Sequence, residues 1–197
     1  MKKNLIIILL FFSIINILKA KDDFYIYGSL GLTDFGLTTA DLQTINTSLV
    51  NLGFSSSTTS TDNTGISIKL HAGFDVNEFL SAEGGYTNLG DLELTTTTTG
   101  PVETIVSTIG IDGFELTGLA KFGEDDMYFF GRAGFFAWNA DVLVTTSLGS
   151  STTVLGSGTD PVLGGGIDIN GIRAEALAYS IDGEYLYNYT IGYRYNF

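Results

Sequence analysis

Cysteine is absent from the 197 residues, so no disulfide framework, thiol nucleophile or Cys-ligated metal site is available. Basic residues are scarce, with 9 Lys and Arg against 22 Asp and Glu and a net charge of −13. Nucleic-acid binding needs a basic face, so it is excluded. There is one histidine, His71, which leaves neither a His-rich metal site nor a choice of catalytic bases. Proline occurs twice. After the first twenty residues no apolar run approaches the roughly 20 residues a membrane helix needs.

What the chain does hold is 25 Gly, 14 Phe and 10 Tyr, spread through short alternating segments. That is a β composition, and the length suits one domain. The N-terminus is set apart. Lys2 and Lys3 precede an apolar core from Leu5 to Leu18, and Ala20 stands where a small residue precedes cleavage. Residues 1–20 therefore read as a signal peptide and 21–197 as the mature domain. Cleavage leaves 6 Lys and Arg against 22 acids, a net charge of −16.

Beyond Lys21 hydrophobicity alternates at period two, which places successive side chains on opposite faces of strands. Eight segments follow the rule: 24–33, 65–74, 79–87, 114–122, 127–137, 162–169, 172–179 and 185–197. Each has about the length of a tilted membrane strand. One face of every segment carries only apolar, aromatic or Gly residues. A Lys or Arg there would cost about 2–4 kcal/mol at a bilayer midplane. The predicted fold is an all-β, eight-stranded antiparallel up-and-down transmembrane barrel. A soluble lipocalin-type barrel would need the inverse arrangement, with an apolar interior and a polar exterior.

Connections alternate in length. Asp75–Glu78, Gly123–Asp126 and Asn170-Gly171 are tight, whereas 34–64, 88–112 and 138–161 are long, and a short one lies near Ile181–Glu184. Short periplasmic turns and long outer loops fit a membrane barrel. The long loops, rich in Ser and Thr at Ser55–Ser60 and Thr95–Thr99, are expected to be polar segments that need not pack.

An eight-stranded barrel is wide enough only for its own side chains. By parity Lys69, Lys121, Arg132, Arg173 and Arg194 point inward, as do Glu83, Glu115, Asp168 and Glu175. Buried charges must pair, so these nine are the candidate site: an ion-pair network that plugs the barrel, or a gated narrow pore if partners exchange. His71 also faces inward, near the periplasmic end of its strand. The presumed outer connections hold eleven acids, from Asp34 to Glu184, and no Lys or Arg. Calcium-loop spacing is absent, and no metal or cofactor is expected.

The ordered segments Phe24–Gly31, Ala82–Gly90, Leu116–Gly123, Gly131–Gly134 with Trp138 and Asp141, Pro161–Gly166 and Ile191–Phe197 make the mature chain resemble the eight-stranded transmembrane domain of the OmpA family. The resemblance implies an interior charge cluster at Glu83, Lys121, Arg132, Asp168, Arg173 and Glu175, with small conductances. It also implies that the aromatic terminal strand, Tyr193, Tyr195 and Phe197, is a signal for the β-barrel assembly machinery. Larger members carry a peptidoglycan-binding domain after the barrel, so a chain ending at Phe197 is expected to resemble the barrel-only members. The expected function is structural or surface-interactive, in the cell outer membrane, as a monomer. The expected partners are outer-membrane lipids, the assembly machinery and extracellular ligands met through the loops. The alternative is a barrel enzyme acting on outer-membrane lipid or peptides, which needs a nucleophile, base and orienting acid together.

Overall fold

The computed structural model describes residues 24–51, 56–99, 103–124 and 126–197. The expected signal peptide, the expected cleavage after Ala20 and Asp125 of one tight turn lie outside the described residues. Among the described residues nine antiparallel strands and one helix follow in chain order. They are β1 (Phe24–Asp34), α1 (Thr39–Asn51), β2 (Ser56–Asp62), β3 (Thr64–Asn77), β4 (Leu80–Thr99), β5 (Glu103–Glu124), β6 (Met127–Thr146), β7 (Gly149–Ile169), β8 (Ile172–Ile181) and β9 (Glu184–Asn196).

Eight strands close a ring. Sequential neighbours pair from β3 through β9, and β1 joins β3 on one side and β9 on the other. The ninth strand, β2, is added outside the ring against the far end of β4. The parity read from the sequence holds in all eight ring strands. In β3, Ser67, Lys69 and His71 are buried while Ile66, Ile68 and Leu70 are exposed. In β6, aromatic on both faces, Tyr128, Phe130, Arg132 and Phe136 turn inward and Phe129 and Phe135 outward. The outward face is an inverted exterior of Leu, Ile, Phe and Tyr, which suits hydrocarbon and not water.

The hairpins at one end are tight. Asn170 and Gly171 both have positive φ, 52° and 85°, as the two-residue turn favoured by strand twist requires. Asp182-Gly183 repeats the device at the opposite end, with φ of 51° and 90°. Asn77 closes the β3–β4 turn with its side chain, accepting from the amides of Phe79 and Leu80, each at 2.9 Å. That turn therefore sits at Glu78-Phe79, and Phe79 precedes its strand rather than opening it.

The long connections depart most from expectation. A tilted membrane strand needs about 9–11 residues, yet β4, β5, β6 and β7 have 20, 22, 20 and 21. About half of each stands beyond the ring as an extension, and β6 and β7 are joined there by the short turn Ser147-Leu148. The segments 88–112 and 138–161 are thus mostly strand. The reason is chemical: Thr is β-branched and suits a pleated sheet, and each run finds a partner. Thr96 and Thr98 are buried, and the Thr96 and Thr59 hydroxyls meet at 2.9 Å across β2–β4.

Residues 34–64, expected as a long polar loop, hold α1, a helix rich in Ser, Thr and Asn. Its start is a capping box. The Thr38 hydroxyl accepts from the Asp41 amide at 3.4 Å, and the Asp41 carboxylate accepts from the Thr38 amide at 2.8 Å and hydroxyl at 2.7 Å. The hydroxyl bond, then the amide bond, hold the Asp41 carboxyl below its ordinary range. This cap is therefore present above the unfolded carboxyl value and lost as pH falls through the depressed one. Asn46 of α1 accepts from Thr59 of β2 at 2.8 Å, which fixes the helix against the added strand.

Leu116 of β5 and Leu143 of β6 both face outward, 67% and 41% exposed, and differ in height. Leu116→Arg should cost about 2–4 kcal/mol in urea unfolding from lipid vesicles. Leu143→Arg, in the extension, should stay within about 0.5 kcal/mol. Equal costs would show that the two positions meet the same solvent and that the hydrocarbon band is misplaced.

Candidate functional site: the charged interior

Strand parity delivers ten charged side chains to the interior of the ring, five positive and five negative. Nine are those expected from the sequence. The tenth is Asp75, the first residue of what reads as a tight turn. It completes the charge balance.

The centre is Arg132 of β6. Its guanidinium meets three carboxylates: Glu83 at 3.0 Å, Glu115 at 2.9 Å and Glu175 at 2.8 Å. Three strands therefore converge on one fork of donors. Arg173 of β8 bonds Glu83 as well, and its Nε reaches Asp168 at 3.3 Å. Its flat cation lies over the rings of Tyr27 and Phe130, at 4.6 and 5.0 Å. Lys69 is fully buried, with Nζ 3.7 Å from Glu175 and facing the Tyr179 ring.

Hydroxyls finish the carboxylates. Tyr25 donates to Glu83 at 2.8 Å, Tyr179 to Glu115 at 2.7 Å and Tyr128 to Asp168 at 3.1 Å. Asp168 also accepts the Gly171 amide at 2.9 Å, so the network is tied into the β7–β8 turn. These tyrosines face inward by the same parity that puts Phe24, Ile26 and Phe129 outward. That was the signal available for finding them.

His71 lies in the middle of the network, not at its periplasmic end. Arg132 has only donors, so His71 Nδ1 accepts from it at 2.8 Å. Nε2 then donates to the Thr87 hydroxyl at 2.9 Å, and that hydroxyl donates to Glu115 at 3.1 Å. The chain of bonds resembles an activated hydroxyl, but His71 and Thr87 are both buried inside the ring.

Lys121 does not join Glu83. It turns to the tight-turn end and pairs with Asp75 at 2.8 Å, while Arg194 lies 3.6 Å from Asp75 and 3.4 Å from Asp168. Asp75, Lys121, Arg194 and Tyr128 line a cavity of about 510 Å³ that opens at that end.

The opposite half of the interior is apolar, which the sequence reading did not anticipate. Phe35, Leu89, Leu92, Ile111, Phe136, Trp138, Val162, Leu177, Ile181 and Leu186 form one buried cluster above the charges. Tyr179 belongs to both halves: its ring packs edge-on to Phe136 at 5.2 Å while its hydroxyl holds Glu115. Of the terminal aromatics, Tyr193 and Tyr195 are exposed on the outer face. Phe197 is half-buried, edge-on to Tyr195 at 5.3 Å, and its amide donates to the Phe24 carbonyl at 3.3 Å.

The pairing pattern predicts which double mutants couple. Glu83→Gln should destabilise by about 3–5 kcal/mol, because it strands buried positive charge. A cycle of Glu83→Gln with Arg173→Met should show strong coupling in vesicle unfolding. A cycle with Lys121→Met should show markedly weaker coupling, since Glu83 and Lys121 share no direct partner and connect only through Asp75, Arg194, Asp168 and Arg173. Strong coupling in the second cycle would contradict the assignment of Lys121 to Asp75.

No curated protein matches the chain. Among solved structures, Ail, the attachment invasion locus protein of Yersinia pestis, is 12% identical with a TM-score of 0.49, over 88% of this chain and 99% of Ail. Ail in complex with the heparin analogue sucrose octasulfate gives 13% identity and a TM-score of 0.45, with the same coverage. The translocator domain of the autotransporter NalP from Neisseria meningitidis gives 12% and 0.28, over 92% of this chain and 94% of that domain. The family described as the OmpA-like transmembrane domain matches residues 19–195. With nearly the whole chain matched, this protein belongs to the OmpA-like transmembrane domain family of outer-membrane β-barrels.

Proposed function

We propose that the chain is a closed membrane frame whose task is to hold a sheet above the outer membrane for contact with extracellular molecules. The observation that carries this is the length of β4–β7: about half of each strand is more than the bilayer requires and is spent on an ordered sheet. Residues 1–20 act as the signal peptide that delivers it. One copy closes its own ring, so it works as a monomer.

Two layers close the lumen. The ion pairs fill one half, where any exchange of partners exposes a buried charge, and the apolar cluster fills the other, where an ion would be stripped of water. An enzymatic role has no support here, because the one histidine is enclosed. In planar-bilayer recording the refolded protein should give no stepwise conductance. Discrete openings would overturn the closed frame and favour a gated pore.

The aromatic face of β9 serves assembly in this reading. An edge strand is suited to templated pairing before the ring closes. Phe197→Ala should slow appearance in the outer membrane in cells while refolding into detergent stays near normal. A normal cellular rate would remove Phe197 from that role.

A further inference from the structure

The closed ring has no edge, but the extension does. β6 pairs with β7 along its whole length, from Thr146↔Gly149 to Met127↔Ile169. β8 begins to pair with β7 only at Val162. Residues 149–161 therefore have a paired side and a side with no strand among the described residues. The other edge of the same sheet is different: β2 lies there, and α1 packs on β2.

The edge of β7 is lightly protected: one bulge, at Leu155, interrupts it and Pro161 closes its foot. Natural edges are blunted by Lys, by Pro or by covering segments. Residues 149–160 contain no Lys, Arg or Pro. Val154 and Leu155 are 70% and 55% exposed, and Leu155 is the extra residue of a bulge between the Ala140 and Asp141 pairings. An apolar pair on a bare edge of a secreted surface is a liability unless it is used.

Charge decides what uses it. Beyond Lys21 all five basic residues of the chain belong to the interior network. Around the free edge stand only acids. Asp141 pairs across from Val154, and Asp160 lies near the foot of the edge, where one of its oxygens accepts from the Trp138 indole at 2.7 Å and from the Asp182 amide at 3.3 Å; Glu184 opens β9 just beyond the β8–β9 turn.

A second copy does not fit. Two copies in one membrane are related by an axis along the membrane normal, which sets their β7 strands parallel at equal height with donor facing donor. A copy on a facing membrane meets the same acids.

We propose that β7 residues 149–161 accept an extended polypeptide segment of another molecule, added as a strand, with apolar side chains against Val154 and Leu155 and basic ones toward Asp141, Asp160 and Glu184. This rests on the reading of the extension as an interaction surface.

The test uses the full chain refolded in zwitterionic nanodiscs. The probes are an alternating Lys–Val octapeptide, its Glu–Val counterpart and a Lys–Val octapeptide N-methylated at alternate residues. The Lys–Val peptide should bind at least about tenfold more tightly than the other two, since only it offers both charge and backbone pairing. It should slow amide exchange within 149–161. Val154→Lys with Leu155→Lys should weaken it about tenfold. Glu93→Lys adds the same charge on β4, three strands away, and should weaken it less than about threefold, as screened charge does at that distance. Retained dispersion in circular dichroism and heat-shifted electrophoretic mobility identify folded variants. Equal loss in both variants, equal binding of the N-methylated peptide, protection outside 149–161, or no binding would each overturn the edge site. None of these bears on the closed frame, which the conductance recording tests separately.

Discussion

Three carboxylates from three strands meet on the guanidinium of Arg132, and most of the molecule is arranged around that fact. A buried cation with three acidic neighbours is stable only if the surplus negative charge is met by other cations. Arg173, Lys69, Arg194 and Lys121 supply it, and Asp168 and Asp75 close the account. The result is a neutral cluster in a low-dielectric lumen. Each member is held by at least one strand other than its own, so the charges link strands across the ring where the backbone ladder links only neighbours. Breaking such a cluster from one side costs more than any of its pairs is worth alone.

The membrane half of the fold was legible because hydrocarbon enforces a strict rule. Lys69, Glu83, Arg132, Asp168 and Arg173 each sit in an alternating segment whose other face is apolar, and one face of a strand cannot be moved without moving the other. Asp75 escaped because it looks like a turn residue, and only the three-dimensional position of Lys121 shows what it does. The apolar cluster is hidden because Leu89, Leu92, Ile111 and Trp138 lie in the stretches 88–112 and 138–161, whose sequence reads as loop. In the extensions Thr stands on both faces, buried at Thr96 and Thr98 and exposed at Thr97, so the Thr-rich runs carry no periodic signal. α1 has the same difficulty: its capping box is short and its residues are poor helix formers.

A single chain thus solves two problems with the same strands. Below, the exterior is greasy and the interior charged. Above, the exterior is acidic and the filling apolar. Tyr179 marks the seam, touching Phe136 on one side and Glu115 on the other. The inversion follows from the solvent on each side of the boundary and leaves the cations with only one place to go. The outer surface is consequently free of positive charge.

Between Asn88 and Asp91 the pairing of β4 with β5 slips by one residue, and Gly90, at φ 87°, takes the turn. Below the slip Ser81, Glu83 and Thr87 are buried; above it Leu92, Thr96 and Thr98 are. A side chain at Gly90 would collide with the Ile66 backbone at 2.5 Å, so the position admits no other residue without movement. The slip acts as a clutch between two gears. Insertions or deletions above it can rotate which residues the extension shows to the outside, while the stagger that closes the ring below stays engaged. A lineage carrying this joint can revise its outer face beyond Leu92 and Ile111 without having to re-solve the problem of living in a membrane.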